Sequence, residues 1–414
     1  MKTKTILLAT TAVATVGLLT AGVTGGRDAA AAERISIEVH GYHQQWVVGA
    51  SQDFNDDDPG REPQGFKLSA IDQKTNSEIC FTGQTTLDNG ISVGVQVELE
   101  AFSEDTFIDE TFLFMESDTL GQLTLGVKDS AAELLHVASP DGGISVDDGD
   151  VNTLEMYIDT SGAVTGVTGS TSLGDVFGDT NRLIYITPRY LGVQAGVSYA
   201  PNAGEDSLTT NNPNYGCRLT VGTACEPNGY HDQLAAAVNY RETFNGVGVQ
   251  LAAGITSANQ VRGIAAELPD ELDVGSLLGY SLGGQLTFGG LTVGGGFKQI
   301  TSGRGYSDIG EDLYSLRGNS WSAGGRYETG PYAAGVTCNR GRQVGFQSEG
   351  TGDLKHFVCA LSGTYTMGPG IRLVGGLFYF DDEAETPAGP SAGTISATSD
   401  TDGWGGAVAV TTSF

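Results

Sequence analysis

The last eleven residues, WGGAVAVTTSF, place the strongest constraint on what this chain can fold into. From Trp404 to Phe414 the even-numbered positions are mostly apolar or aromatic, and the odd-numbered positions carry small or weakly polar side chains. A repeat of two residues predicts a β-strand, because successive side chains of a strand point to opposite faces. The apolar face has an aromatic residue at each end, as in a strand that crosses a bilayer between two interfacial girdles.

The same alternation recurs along the chain, for example in residues 91–100, 233–241 and 291–298. A short turn between two alternating segments is the signature of a β-hairpin, and aromatic residues cluster near the ends of these segments. Seven such hairpins, with one further strand at each end, predict sixteen strands, and longer polar stretches separate the hairpins. The predicted turns lie at residues 88–90, 120–121, 191–192, 245–246, 289–290, 330–331 and 368–370.

The first 32 residues have the character of an export signal. Lys2 and Lys4 precede an uncharged apolar run, and three alanines end at Ala32. A basic end, an apolar middle and small residues at the exit predict a signal peptide over residues 1–32, which leaves residues 33–414 as one exported domain. A retained membrane anchor is the alternative, but the run is short and weakly apolar for a membrane-spanning helix.

Charge and composition narrow the function classes. The chain has 21 basic and 50 acidic residues and a net charge of −29, so nucleic acid, which is bound by basic surfaces, is not an expected partner. Such an acidic chain fits a surface that binds divalent cations or disfavours anions. Glycine accounts for 62 residues, but it follows no G-X-Y repeat and often lies inside alternating segments, which argues against collagen and flexible linkers.

The five cysteines fit an oxidising compartment. Cys217 and Cys225 lie in one predicted loop, which predicts a local disulfide. Cys338 and Cys359 lie on two predicted partner strands at equal distances from the middle of the intervening loop, and the sequence leaves open whether they pair. Cys80 is left over, and the chain has no CxxC motif or Cys/His spacing typical of a zinc site.

The terminal Phe414, the leader and the alternation of short turns with long loops resemble the pattern of general porins of the Gram-negative outer membrane. The resemblance implies an all-β fold, a transmembrane antiparallel barrel of about sixteen strands surrounded by outer-membrane lipid. It further implies a homotrimer whose chains form water-filled channels for passive diffusion of small hydrophilic solutes and ions. A soluble β-sandwich is the structural alternative, in which the apolar faces would pack into a core.

The longest interval between short turns lies between residues 121 and 191, and most of the excess falls in residues 130–181. In porins with sixteen strands the loop after the fifth strand folds into the barrel and narrows it, and the resemblance assigns that role to this segment. Acidic groups at a constriction attract cations and repel anions. A solvated external loop is the alternative, and the Pro-Glu-Phe-Gly type of signature is absent. The predicted constriction acids are Asp141, Asp147, Asp148, Asp150, Glu155 and Asp159.

Whether a residue has an odd or an even number within a strand (its parity) decides which face it lies on. This parity places seven basic residues on the face turned toward water. A charge that faces lipid at the bilayer midplane costs about 2 to 4 kcal/mol, so we expect inward placement wherever the register is correct. The resemblance implies that this basic wall faces the acidic loop, and the net acidity predicts a mild preference for cations. Several of these residues lie near strand ends, where plain contact with solvent is the alternative. The predicted wall residues are Lys74, Lys128, Arg182, Arg241, Lys298, Arg326 and Arg372.

Three weaker hypotheses concern other sites. Residues 53–58 offer oxygen ligands for Ca²⁺, although a solvated loop tip is the simpler interpretation and no other cofactor is expected. Residues 279–283 match G-x-S-x-G, but a catalytic serine of that motif needs a sharp turn from strand to helix, and here the chain continues to alternate. A hydrolase that uses Ser281 is therefore less favoured than a channel. A channel specific for one solute is the third alternative.

Overall fold

The computed structural model describes most of the chain after the predicted leader. The leader itself, Cys217, Cys225 and the side chains of residues 53–58 lie outside the described residues. The described residues are 34–56, 71–100, 108–147, 149–157, 163–202, 230–260, 276–302, 304–306, 313–344, 353–385 and 398–414.

Sixteen antiparallel strands form a closed barrel, which confirms the predicted fold class. The strands follow one another around the barrel in chain order, and β1 closes the barrel against β18. Two further strands, β12 (Arg304–Tyr306) and β13 (Leu313–Ser315), form a separate ribbon within the loop between β11 and β14. The barrel strands are β1 (Ser36–Asp56), β2 (Asp72–Thr86), β3 (Ser92–Glu100), β4 (Thr111–Ser117), β5 (Gly121–Lys128), β6 (Thr180–Ile186), β7 (Val193–Asn202), β8 (Tyr230–Phe244), β9 (Val247–Gln260), β10 (Leu277–Phe288), β11 (Leu291–Ser302), β14 (Gly318–Thr329), β15 (Tyr332–Val344), β16 (Asp353–Gly368), β17 (Ile371–Glu385) and β18 (Thr398–Ser413).

All seven predicted short turns connect neighbouring barrel strands. The connection from β8 to β9 consists of Asn245 and Gly246 alone, with φ angles of 49° and 85°. Two consecutive positive φ angles are what a type I′ turn requires, and Asn-Gly is the pair that adopts them most readily. The turn therefore fixes the register of this hairpin, in which Phe244 pairs with Val247.

The two faces of the barrel differ as the alternation predicts. Large apolar side chains on the outer face remain about half exposed, and inner-face neighbours such as Ala407 and Ala409 are buried. An exposed apolar outer face is expected where hydrocarbon, rather than protein, covers the strands. Outward residues with this exposure include Val47, Val95, Leu251, Leu282, Leu361, Leu377 and Val408.

Aromatic residues form two rows on the outer face, near opposite ends of the strands. Phe297 contacts Trp321 with ring centroids 4.2 Å apart in one row, and Tyr332 stacks on Tyr365 at 5.1 Å in the other. Amphipathic rings favour the headgroup level of a bilayer, so the rows mark its two interfaces.

The end of the chain takes part in closing the barrel. The backbone N–H of Phe414 donates to the carbonyl of Gly41 at 3.1 Å, and the N–H of Gly41 donates to the carbonyl of Phe414 at 3.0 Å. The predicted last strand is therefore paired on both sides, with β17 and with β1. Segments 35–48 and 111–116, which alternate poorly in sequence, nevertheless form barrel strands β1 and β4.

Cys338 on β15 and Cys359 on β16 are register partners and form a disulfide, which settles the pairing that the sequence left open. Both side chains belong to the outward set of positions that includes Val336 and Leu361. Cys80 is a free, buried thiol on β2. No helix among the described residues has the length and apolar character to cross a bilayer.

A single outward charge tests whether the outer face meets hydrocarbon. We expect Val408→Arg, in the middle of β18, to lower the free energy of unfolding by about 2 to 4 kcal/mol, because a midplane charge loses its hydration. Ile371→Arg lies outward at the start of β17, next to a turn, and its cost is about 0 to 1 kcal/mol. Denaturant titration of the barrel in lipid vesicles measures both. Equal costs at the two depths would contradict a bilayer around the barrel.

Candidate functional site: a loop inside the barrel

The segment between β5 and β6 leaves the barrel wall and runs along its inner face. It carries two short helices, α1 (Ala131–Leu134) and α2 (Asp150–Thr153), and a 3₁₀ turn at Gly174–Val176. The N–H of Ala131 donates to Ser198 Oγ of β7 at 3.1 Å, and Gln285 Nε2 of β10 donates to the Ala138 carbonyl at 2.8 Å. Both wall residues have the parity opposite to the exposed apolar residues of their strands, so this loop lies in the lumen.

Inner-face glycines let the loop backbone approach the wall. A Cβ atom added at Gly283 of β10 would lie 2.0 Å from the carbonyl oxygen of Val137, and one at Gly324 of β14 would lie 2.1 Å from that of Pro140. Any larger residue at these positions would push the loop backbone away. Part of the high glycine content therefore serves close contact between the wall and the loop.

The middle of the loop packs into an apolar section of the inner wall. Trp46 and Val48 of β1 contribute to this section, and both are almost fully buried. Burial of apolar side chains contributes roughly 25 cal/mol per Å² of area removed from water, so the cluster stabilises the inward position of the loop. The loop residues in the cluster are Ile144, Val146, Val151, Leu154, Met156 and Tyr157, and the other wall residues are Val358, Ala360, Val374, Phe378, Phe380, Ala407 and Ala409.

A buried polar network fixes the same region of the loop. Tyr157 stacks on Phe380 with ring centroids 3.8 Å apart, and its hydroxyl donates to Asp382 Oδ2 of β17 at 2.5 Å. The other carboxylate oxygen, Asp382 Oδ1, lies 2.6 Å from His356 Nδ1 of β16. Asp382 and His356 are almost completely buried, where hydrogen bonds between charged or polar partners are strong because water does not compete.

The loop then returns along β15, β14 and β11. Lys298 Nζ of β11 donates to the Gly166 carbonyl at 2.6 Å, and Ser320 Oγ of β14 donates to the Thr168 carbonyl at 3.2 Å. The contacts of the loop thus follow the wall from β7 to β18 and β1 and back. Inner-face residues of β2 and β3 such as Glu78, Glu98 and Glu100 remain partly exposed, so they border the remaining lumen.

Two predicted constriction acids lie where the loop faces charged groups of the wall. Asp141 Oδ1 accepts from the Gly143 N–H at 2.7 Å. Burial raises the pKa of Asp141, and the positive charges of Arg326 and Arg372 oppose that rise. Asp150 begins α2 and accepts from the Ser145 N–H at 3.1 Å, and burial raises its pKa to about 7.

Asp147 has a different place from the one predicted. Its side chain is 2 % exposed and accepts from the N–H and the hydroxyl of Thr171 at 2.7 to 2.9 Å, and from the Ser139 N–H at 3.4 Å. It holds two parts of the loop together and does not border open lumen. Glu155 is exposed on the loop, and Asp148 and Asp159 lie outside the described residues.

The predicted basic wall residues all have inward parity, but two of them are covered. Lys298 is completely buried beneath the loop, and Arg182 is 4 % exposed and donates to the backbone carbonyls of Thr180 and Gly178. These two charges serve local structure rather than open lumen, because protein surrounds them.

The other five basic residues have polar or acidic partners. Lys128 Nζ lies 2.5 Å from Glu110 Oε2. Arg326 donates to Glu328 at 3.0 Å and Lys74 to Asp72 at 3.1 Å. The remaining two donate to neutral oxygens. Arg241 donates to Gln250 Oε1, and Arg372 donates to Thr411 Oγ1. Acids therefore neutralise three of the seven basic residues, and protein covers two others.

The structure also brings acidic residues together in two clusters that the sequence did not predict. Glu78, Glu98 and Asp109 offer carboxylate oxygens within 4.8 Å of one another, and so do Glu110, Asp129 and Asp179. Asp109 precedes β4 and its N–H donates to the Glu98 carbonyl at 3.0 Å, which aligns it with β3. Burial and the nearby carboxylates raise the pKa of Asp109 to about 7. The available signal was that Glu78 and Glu98 lie on the inner face of the paired strands β2 and β3, whereas the other acids lie beside strand ends.

Ser281 does not have the geometry of a catalytic nucleophile. It lies within β10 on the inner face, 3 % exposed, with Lys298 as its register partner on β11. Nucleophilic serines of the G-x-S-x-G type stand on a sharp turn between a strand and a helix, which this strand does not provide.

Comparison with known proteins agrees with this architecture. A model of the Gram-negative porin family matches residues 9–385. The barrel is similar to OmpF of Salmonella typhi, with 12% sequence identity over 91% of this chain and 97% of that chain and a TM-score of 0.55. It is also similar to OmpT, an outer membrane protein of Vibrio cholerae (10% identity, 94% and 99% coverage, TM-score 0.54), and to an anion-selective porin from Comamonas acidovorans (16% identity, 92% and 100% coverage, TM-score 0.53).

No curated protein sequence gave a significant match. At these identities the structural similarities establish the fold, whereas the family match covers most of the sequence. Together with the sixteen-stranded barrel and its apolar outer belt, that match shows that the chain belongs to the Gram-negative porin family and forms a β-barrel of the bacterial outer membrane.

Proposed function

We propose that residues 33–414, after removal of a leader over residues 1–32, form a water-filled channel through which small hydrophilic solutes and ions diffuse passively. The observation that carries this proposal is the loop packed inside a closed barrel, which narrows the lumen while inner-face acids of β2 and β3 stay partly exposed. Purified protein in a planar bilayer should give stepwise, ohmic conductance increments. Absence of any conductance from correctly folded barrels would refute the proposal.

We further propose that the channel prefers cations. Lumen carboxylates outnumber unpaired positive charges, because Lys298 and Arg182 are covered and Lys128, Lys74 and Arg326 are paired with acids. Acids on the wall, including Glu78, Glu98 and Asp109, add to those of the loop. A unit charge at about 7 Å in water contributes about 0.6 kcal/mol, which changes local ion concentration by about threefold. Reversal potentials in a KCl gradient measure the preference, and an anion preference would contradict it.

The cation preference should increase as the pH rises from 5.5 to 8.5. Asp109 and Asp150 have a pKa of about 7 and therefore gain negative charge across this range. We expect Asp109→Asn to reduce the rise in the permeability ratio of K⁺ to Cl⁻ by about threefold, because the amide stays neutral. Reversal potentials at each pH provide the measurement. Thr153→Ala, an exposed neutral change in the loop, serves as the control, and an unchanged rise in Asp109→Asn would count against the assignment.

The width of the channel should depend on the glycine contact beneath the loop. Gly283→Leu places a side chain where the Val137 carbonyl lies, so the loop must move and the single-channel conductance should change. Gly284→Leu, the next residue, points outward toward Leu251 and should leave conductance unchanged. Exclusion of uncharged polymers of graded size measures the width. Equal behaviour of both variants would show that the loop does not set it.

We also propose that the chain assembles as a homotrimer. A polar patch formed by His43, Gln45, Thr75 and Ser77 interrupts the apolar outer face of β1 and β2, and Thr75 Oγ1 donates to Gln45 Oε1 at 3.1 Å. Polar side chains are costly against hydrocarbon, so contact with protein is favoured there. A barrel of similar fold, OmpT of Vibrio cholerae, is described in a trimer form.

Gln45→Trp should dissociate the oligomer, because a large ring replaces an amide at the proposed contact. Leu282→Trp makes an equally large change on the outer face of β10, where Leu282 is 52 % exposed, and should leave assembly intact. Analytical ultracentrifugation in detergent gives the mass of each variant. Loss of the trimer in both variants, or in neither, would contradict an interface on the polar patch.

A further inference from the structure

Three carboxylates meet at the root of the loop. Glu110 precedes β4, Asp129 directly follows β5, and Asp179 directly precedes β6, yet their oxygens lie within 4.8 Å of one another. The chain leaves the wall at Asp129 and returns at Asp179. The three carboxylates therefore lie together where the loop leaves β5, where it enters β6, and at the start of the neighbouring strand β4.

Two oxygen atoms at this root are buried without a hydrogen-bond partner. They are Asp179 Oδ1 and the hydroxyl of the next residue, Thr180, which is completely buried. Thr180 is the register partner of Lys128, whose ammonium reaches Glu110. The hydroxyl thus lies on the inner face in the same row of side chains as the carboxylate of Glu110. A buried oxygen without a hydrogen-bond partner destabilises the folded state unless something binds it.

The positive groups nearby are already engaged. Lys128 Nζ lies 2.5 Å from Glu110 Oε2 and 4.5 Å from the centre of the Phe112 ring. Arg182 donates to the carbonyls of Thr180 and Gly178. The Asp129 N–H lies 3.5 Å from Glu110 Oε1. Because the oxygens of the three carboxylates lie within 4.8 Å of one another, the carboxylates repel one another when all are ionised.

We propose that Glu110, Asp129 and Asp179, with the hydroxyl of Thr180, bind one divalent cation of the Ca²⁺ type. Ca²⁺ takes oxygen ligands from carboxylates and neutral oxygens in flexible geometry, which matches this set. The bound cation removes the repulsion and ties the two ends of the loop together. These ligands differ from the acidic run at residues 53–58 and from the predicted constriction acids of the loop.

The neighbouring acidic cluster provides a matched comparison. Glu78, Glu98 and Asp109 are equally close to one another, but Glu78 accepts from the Tyr42 hydroxyl and Glu98 from Gln96 Nε2. No buried oxygen without a partner lies on these three residues among those described. The two clusters have the same number of carboxylates, but only the cluster with Asp179 contains a buried oxygen without a hydrogen-bond partner.

The test uses the full-length barrel in detergent, stripped with chelator and titrated with Ca²⁺ by calorimetry. We expect a saturable site that Asp179→Asn and Thr180→Val weaken at least tenfold, whereas Glu98→Gln changes the affinity by no more than about threefold, the effect of one nearby charge. Ca²⁺ should also raise the unfolding temperature of the unmodified barrel but not of Asp179→Asn. Heat-dependent mobility in electrophoresis confirms that each variant is folded.

Three outcomes would overturn the proposal. The first is the absence of Ca²⁺ binding at millimolar concentrations in folded protein. The second is an affinity that Asp179→Asn leaves unchanged, which would place the binding elsewhere, for example in the acidic run at residues 53–58. The third is an unfolding temperature that responds to acidification but not to Ca²⁺, which would show that a shared proton, rather than a cation, relieves the repulsion.

Discussion

Closure of the hydrogen-bonded sheet is the constraint on which the rest of this structure depends. In hydrocarbon no water can satisfy a free strand edge, so every strand must have two neighbours. The pairing of β1 with β18, extended to the terminal residue by the two bonds between Gly41 and Phe414, meets this demand. Closure also divides every strand into an outward and an inward set of side chains, and this division creates a lumen.

The sequence predicted what depends on local periodicity. Alternation located the sixteen strands, and pairs such as Asn245-Gly246 located the turns because the residue types match the backbone angles required. The inward positions of residues such as Arg326 and Lys298 followed from the same period of two. Even segment 35–48, which alternates poorly, was placed correctly by the count of hairpins, although its outward polar residues obscure the pattern.

The loop could not be predicted at the same level, because its structure depends on contacts across the barrel. Asp147 resembles the other acids of its segment in sequence, yet hydrogen bonds to Thr171 and Ser139 turn it into a buried support. Lys298 was placed on the correct face, but nothing near it in sequence reveals that Gly166 would cover it. Asp129 and Asp179 are separated by the whole loop and meet only because β5 and β6 are neighbours.

The same packing decides how charge is distributed in the lumen. A wall of basic residues opposite an acidic loop would create a field across the channel, but such a field needs unscreened charges on both sides. Here protein covers two basic residues and adjacent acids neutralise three others, while Glu78 and Asp109 add negative charge to the wall. Acids and arginines do face each other at Asp141, Arg326 and Arg372. Opposed charges therefore meet in that part of the loop, whereas the acidic cluster on β2 and β3 adds negative charge to the opposite wall.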